Sequence, residues 1–472
     1  MSKKTITFGV FTQLKDCGNS KVNADTAAGT KERYNTLVKW MNKNIKFPGG
    51  RTLRVKYYDS GAADPLCADV LRAALQKAID QDHVFAIFND IYNPAVNAAD
   101  IAAKKKTIYI GFSFQTFKDL KSHAPYVWST YEPGELSFQE LSWFIRRRFA
   151  KKPYKADNGS KHARVWGALF SDTPQGHTLS NLMKKYMAQG KLPMKQYYIS
   201  SDVATASQQA SGIALQMQHD GVNSLVYGAD ALTPDITFNT AAANAGYHPD
   251  FFISQYGTLP QLAVFVPYFG AEFTKRLYGT GPPAITQERV EVDSTGSITP
   301  KSCPACYGQN NNFNVASTKA YMEAGGSAGN HPSIGSWGWG TFIWPTLTTL
   351  VMGAANAGPV LNAHTFEWGL QHGPKMTCMQ QKFFGKQPYA QAPKNMYNKP
   401  PRYFLQSGFT TLYFNPNKTN FYGSKGLFES YDNFQLFNSM KAMHQSPRYD
   451  TGAAGGYKLV KQKGNFTVNT KC

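Results

Sequence analysis

Hydrophobic positions fall into two alternating rhythms along residues 5–257. Short apolar runs of strand character recur at 5–11 (TITFGVF), 53–59 (LRVKYYD), 84–88 (VFAIF) and 108–110 (IYI). The segments between them have helical spacing. In AGTKERYNTLVKWMNKN, residues Tyr34, Leu37, Val38 and Met41 share one face, and 65–79 (PLCADVLRAALQKAI) is a second amphipathic stretch with Pro65 suited to its first turn. An Ala-rich segment closing on Lys104, Lys105 and Lys106 joins 84–88 to 108–110, the pattern of a β-α-β unit. After a break at HAPYVWSTYEPGE the rhythm restarts. Strands are expected at 163–172, 196–200, 224–230 and 250–257, separated by GHTLSNLMKKYMAQG, ASQQASGIALQMQHDG and PDITFNTAAANAG. Strands alternating with helices predict parallel sheets with helices on both faces. Two such series predict an α/β protein of two doubly wound parallel-sheet lobes.

Beyond residue 257 the pattern loosens. Residues 261–279 and 340–358 read as helical, with Pro345 expected to kink the second. A Gly/Asn/Cys-rich loop lies between them, and the tail from 382 to 472 is aromatic, rich in Pro and Asn, and reads as irregular.

Composition narrows the function. The 472 residues carry a formal charge of +20, which favours an anionic partner. The Lys and Arg are scattered and no RNA-recognition or zinc-finger signature accompanies them, so nucleic acid is not expected; attraction to an anionic membrane or envelope surface and a spread basic surface serving solubility are the two readings left open. Six cysteines, an even number, favour an oxidising compartment. The CPAC pair Cys303–Cys306 lacks a second pair or a nearby His for zinc, and it follows a loop instead of opening a helix as a redox motif would. No run of 18 apolar residues exists to cross a membrane. The N-terminus MSKKTITFGV leads straight into a strand, without a signal-peptide pattern. With the cysteines, this suggests a periplasmic or extracellular protein whose leader is absent from this chain, a lipid anchor being one form of that arrangement. No nucleophile–base pair stands at motif spacing, GFSFQ is not a Gly-x-Ser-x-Gly elbow, and the ten His are dispersed. The chain therefore reads as a binding protein and not an enzyme, with no cofactor.

Several segments taken in order resemble a type I periplasmic binding protein of the branch serving branched-chain amino acid transporters. They are ITFGVFTQL, the junction at Asp59, Asp64 and Pro65 in LRVKYYDSGAADPLCADVLRAAL, VFAIFNDIYNPAVNAADIAAKKKTIYIGFS, YVWSTYEP as a lobe crossing, ALFSDTPQGHTLSNLM, and the late helix ending in Ala-Gly. Asn89-Asp90 departs from the family's usual Gly, and the tail is longer than the family's. The resemblance implies two lobes joined by a hinge, 1–130 with 258–385 and 131–257 with 386–472, the latter including a C-terminal extension. It implies a small organic ligand, amino-acid-like or aromatic, captured between them by closure, and a monomer that docks on the permease of an ABC importer. A sensory receptor on the same fold, or a surface protein acting through its basic aromatic tail, are the alternatives.

Carried over by position, the resemblance implies a first-lobe wall of Asp90, Tyr92, Asn93, Ser113, Phe114 and Gln115, and a second-lobe wall of Thr173, Gln175, Asp230 and Tyr256. The acid that usually holds a ligand amine would fall near Tyr256, where none is present, and Asp230 is the nearest substitute. Tyr92, Phe114 and Tyr256, with Trp337 or Trp339, suggest an aromatic-walled pocket. Cys17 and Cys67 each lie just past a strand end in neighbouring βα units and are expected to pair. Cys378 is then expected to pair with Cys472, and Cys303 with Cys306.

Overall fold

The computed structural model describes residues 4–18, 24–61, 65–89, 96–111, 115–130, 132–229, 232–254, 256, 273, 275–281, 291–292, 298–299, 320–321, 323–326, 343–372, 403, 409–419 and 425–432. The chain divides into two compact units. Unit 1 comprises Met1–Tyr131, Arg289–Gln406 and Asn465–Cys472, and unit 2 comprises Glu132–Glu288 and Ser407–Gly464.

Unit 1 is built on strands β1 (Thr5–Thr12), β2 (Thr52–Asp59), β3 (Ala86–Asn89), β4 (Ile108–Gly111) and β5 (Val127–Ser129). They form one parallel sheet in the order β2-β1-β3-β4-β5. The helices α1 (Ala24–Asn44), α2 (Ala68–Gln76), α3 (Ala98–Lys104) and α4 (Phe117–Ser122) connect them in turn. Every side chain of β3 and β4 is buried, as the unbroken apolar runs require of central parallel strands. The face of α1 read from the sequence is the face it buries: Tyr34, Leu37, Val38 and Met41 are all inside. Burying each such side chain contributes about 1.5–3 kcal/mol. Phe8 and Phe88 meet across β1 and β3 with ring centroids 4.6 Å apart. Trp128 of β5 packs against Phe366 and Tyr403, which bring later parts of the chain onto the same sheet. Phe366 lies on Ala363–His372, a helix packed against Trp344–Asn356. Pro345 sits in the first turn of Trp344–Asn356 and does not kink it; a first-turn residue has no intrahelical bond to lose there.

Unit 2 repeats the topology. It opens on helix α5 (Gly134–Arg148) and the short hairpin β6 (Tyr154–Lys155) and β7 (Lys161–His162). The strands β8 (Trp166–Ser171), β9 (Met194–Ile199), β10 (Ser224–Gly228), β11 (Asp250–Ile253) and β12 (Leu277–Gly281) follow, with α6 (Pro174–Ala188), α7 (Val203–His219) and α8 (Leu232–Asn244) between the first four. The parallel order β9-β8-β10-β11-β12 is that of unit 1, element for element. Unit 2 extends to Glu288 and so takes in β12, which the division expected at 257 leaves in lobe 1.

Two segments depart from the sequence reading. Residues 277–279, read as the end of a helix, belong to β12. The tail is not irregular throughout. After the two-residue strands β13 (Glu291–Val292) and β14 (Ile298–Thr299), β15 (Thr410–Thr419) and β16 (Lys425–Ser430) form an antiparallel extension of the unit 2 sheet beyond β12. Leu412, Phe414 and Phe428 enter the same apolar cluster as Leu225, Phe251 and Leu277. The β15–β16 hairpin is thus a structural part of unit 2.

Candidate functional site

In open parallel sheets the crevice for a ligand lies at the strands' carboxyl edge, where chain connections diverge. In unit 1 that point is between β1, which leads to β2 on one side, and β3, which leads to β4 on the other. The edge is tied together from the sequence upward. Asp59, the last residue of β2, accepts hydrogen bonds from the backbone N–H of Leu14 (2.9 Å) and Gly61 (3.2 Å), which fixes the exits of β1 and β2 together. A disulfide joins Cys17 to Cys67 with the Cα atoms 5.9 Å apart, as the sequence suggested. Cys303, Cys306, Cys378 and Cys472 lie outside the described residues, as do Asp90, Tyr92, Asn93, Ser113 and Phe114.

Gln115 is described and buried. Its Nε2 donates to Asp100 Oδ1 at 3.1 Å, and its Oε1 lies 3.4 Å from His123 Nδ1. His123 Nε2 is 3.3 Å from the same Asp100 oxygen. Burial raises the Asp100 pKa, and the nearby His123 and Lys104 oppose the rise. This triad braces α3 against the start of α4, where Thr116 and Asp119 form a capping box. The Gln115 amide is thereby engaged within unit 1.

In unit 2 the equivalent point lies between β8 and β10. Helix α6 begins there. Thr173 is its N-cap, with Oγ1 accepting from Gly176 N–H at 3.0 Å, and Pro174 occupies the first turn. A β-carbon on Gly176 would lie 2.0 Å from the Ser171 carbonyl oxygen, so the chain can turn from β8 into α6 only with glycine here. This is the physical content of the spacing between Asp172 and Gly176. Gly176→Ala is expected to destabilise unit 2 by about 1–3 kcal/mol through this clash. An unchanged unfolding midpoint in urea would refute that reading.

Gln175 Nε2 donates to the Tyr256 hydroxyl at 2.6 Å. The Tyr256 ring is buried and packs 5.6 Å from Phe138 of α5, which in turn lies 4.9 Å from Phe170 of β8. Gly134 permits this approach, since a β-carbon there would come 2.7 Å from the Tyr256 ring. Thr173, Gln175 and Tyr256 therefore come together at one sheet edge. Asp230 lies outside the described residues. The sequence reading missed two neighbours. His177 sits one turn into α6 with Nε2 2.8 Å from Asp172 Oδ1 and its ring stacked 3.9 Å from Tyr198. Phe138 backs Tyr256, and its only sequence signal was an apolar position in α5.

The positive end of the α6 dipole lies at this edge, and the rings of Tyr256, Phe138 and Phe170 beside it are buried against one another. Among the described residues no group of three His, Cys, Asp or Glu could hold a metal, and no helix is long and apolar enough to cross a membrane.

Comparison with known proteins agrees with the fold. A solute-binding protein of an ABC transporter from R. palustris, solved with 4-hydroxybenzoate, superposes with a TM-score of 0.57 at 12% identity, covering 93% of this chain and 98% of its own. One from Rhodopseudomonas palustris BisB5, solved with 3,4-dihydroxybenzoic acid, gives 0.54 at 14%, over 92% and 97%. An ABC transporter substrate-binding protein from Aeropyrum pernix gives 0.54 at 13%, over 94% and 100%. No curated protein matches the sequence. These likenesses share the fold, two α/β lobes of type I. The profile described as "Periplasmic binding protein" matches residues 6–284, more than half of the sequence, and so the chain belongs to the periplasmic binding protein family, whose members are receptors and not enzymes.

Proposed function

We propose that this protein is the extracytoplasmic solute-binding subunit of an ABC importer and that its ligand is a small aromatic carboxylate. The observation that carries the ligand class is the unit 2 edge, where the α6 amino terminus and Thr173 stand beside the Gln175–Tyr256 pair and its aromatic backing. A carboxylate suits the helix terminus and a ring suits the aromatic group. The structures solved with 4-hydroxybenzoate and 3,4-dihydroxybenzoic acid support the same class. The absence of an acid at Tyr256 weighs against an α-amino acid. Closure on the ligand delivers it to a permease, and the family resemblance alone nominates Asp90, Tyr92, Asn93, Ser113 and Phe114 as further ligand contacts. The Cys17–Cys67 disulfide suits an oxidising compartment, and the +20 charge suits an anionic envelope.

Calorimetry against 4-hydroxybenzoate, 3,4-dihydroxybenzoate, phenol and leucine tests this. Micromolar affinity for the two acids is expected, with phenol at least about tenfold weaker for lack of the charged hydrogen-bond acceptor. Binding of leucine but of neither aromatic acid would overturn the ligand assignment.

A further inference from the structure

Charge in unit 1 is sorted by helix polarity. Its strands are parallel, so the helices that connect them all begin at the carboxyl edge of the sheet and all end at the amino edge. Acids occupy the first turns: Asp69 in α2, Asp100 in α3 and Asp119 in α4. Bases occupy the last turns: Lys43 in α1, Lys104 in α3 and Lys121 in α4. Helix dipoles explain charges at those positions. They do not explain the exposed lysines that continue past the helix ends on the same edge, namely Lys46 after α1 and Lys105 and Lys106 after α3. Lys77 is exposed too, but the helical run that begins with α2 continues through it to Gln81, so it does not lie past a helix end.

Described carboxylates on this side of unit 1 answer some of this charge, and Glu323 lies against Trp40 of α1 at 2.9 Å. Asp80 pairs with Lys105 at 3.2 Å, and Asp82 is taken by Lys56 at 2.7 Å and the Tyr58 hydroxyl at 2.6 Å. The remaining lysines make a strongly positive rim. Lys106 closes the run at the exit of α3. It takes φ +55° at the helix exit, with its N–H on Ala103 O and Thr107 N–H on Ala102 O, a position where glycine is the unstrained choice. In unit 2, α7 and α8 exit through Gly221 and Gly246 in that conformation, and Lys191 after α6 is the isolated counterpart.

We propose that the amino edge of the unit 1 sheet is an electrostatic docking surface for an anionic lipid bilayer. The proposal rests on the extracytoplasmic reading above and adds to it the face that meets the membrane. Strand starts and helix ends of one parallel sheet lie along one edge, so their lysines are presented together to a flat surface. Each lysine near such a surface adds to the attraction, which salt screens. The edge also lies opposite the carboxyl edge, so docking would leave the unit 1 end of a ligand site unobstructed.

Flotation with vesicles of phosphatidylcholine, with and without about 30 mol% phosphatidylglycerol, tests it on the full chain. The wild type is expected to bind the anionic vesicles at low salt and to be released at high salt. Lys104→Glu, Lys105→Glu and Lys106→Glu together are expected to weaken binding by about a hundredfold. The same number of reversals in unit 2, at Lys184, Lys185 and Lys195, should change it by less than about threefold. Equal loss in both variants, equal binding to neutral vesicles or no binding by the wild type would overturn the proposal. Binding of soluble polyphosphate as tight as that of the vesicles, lost with the same lysines, would replace the bilayer by a polyanion. Calorimetry with 4-hydroxybenzoate on the same preparations keeps the two readings separate, because ligand binding should survive the lysine reversals whatever the vesicles show.

Discussion

Asp432→Ala is expected to lower the stability of unit 2 by about 3–5 kcal/mol, because it strands a buried cation. Asp432 follows β16, and its side chain is wholly buried. Arg148, at the end of α5 and almost as buried, places Nε 2.9 Å and Nη2 2.9 Å from Asp432 Oδ1, and Thr411 Oγ1 donates to Oδ2 at 2.8 Å. Burial pushes the Asp432 pKa up, and Arg148 pulls it back. The pair therefore fastens the β15–β16 hairpin to the first helix of the unit. Removing one partner leaves the guanidinium unpaired in a site that water does not reach. Replacing both, as Arg148→Met with Asp432→Leu, should restore most of the loss, because the desolvation cost vanishes with the charges. Thermal unfolding of the three variants decides it. A single variant within about 1 kcal/mol of the wild type would mean that the hairpin is not held there. The same geometry predicts that a chain ending before Lys382 exposes the edge of β12 and loses cooperative unfolding of unit 2.

That hairpin also marks the limit of what the sequence made legible. Most elements between residues 5 and 257 were readable because their apolar residues follow one clear period, such as the unbroken runs of β3 and β4 or the four-residue face of α1. β15 was not, because Asn415, Pro416 and Asn417 read as a turn. Proline is tolerated there for a local reason. The ladder from β15 to β12 ends at Tyr413, and the register with β16 shifts between Asn415 and Thr419, so no regular pairing is imposed at Pro416. β12 was hidden because its glycines at 279 and 281 lack strand propensity and the preceding residues have helical spacing. Pairing with β11 and β15 overrides that tendency. At the candidate site, Thr173 and Gln175 came from their position in the family resemblance, just after a legible strand-to-helix junction. The support behind them was not, since the contact of Phe138 with Tyr256 joins residues far apart in sequence.

One feature of that support responds to pH. Glu140 of α5 is almost fully buried beside the equally buried Glu132, two residues before the helix begins. Burial, and then the charge and hydrogen bonding of Glu132, raise its pKa well above the ordinary glutamate value. A carboxyl whose folded pKa is raised contributes its stability in full below its unfolded pKa and loses it as pH rises toward the folded one. Over that window the loss is about 1.4 kcal/mol per pH unit for one proton. Glutamine matches the protonated shape and cannot ionise. Glu140→Gln is therefore expected to make unit 2 more stable than the wild type at neutral pH and to flatten the decline that sets in as pH rises above the ordinary glutamate range. Glu132→Gln should flatten it in part, by removing the neighbouring charge while leaving the burial. Urea unfolding at a series of pH values measures both slopes, and a Glu140→Gln variant that declines as steeply as the wild type would assign the slope to another group. The consequence reaches the ligand edge through one helix. Phe138 lies two residues before Glu140 and backs Tyr256, so ionising the pair should loosen the aromatic group that α5 presents. Affinity for an aromatic carboxylate should accordingly weaken with rising pH in the wild type and hold steady in Glu140→Gln.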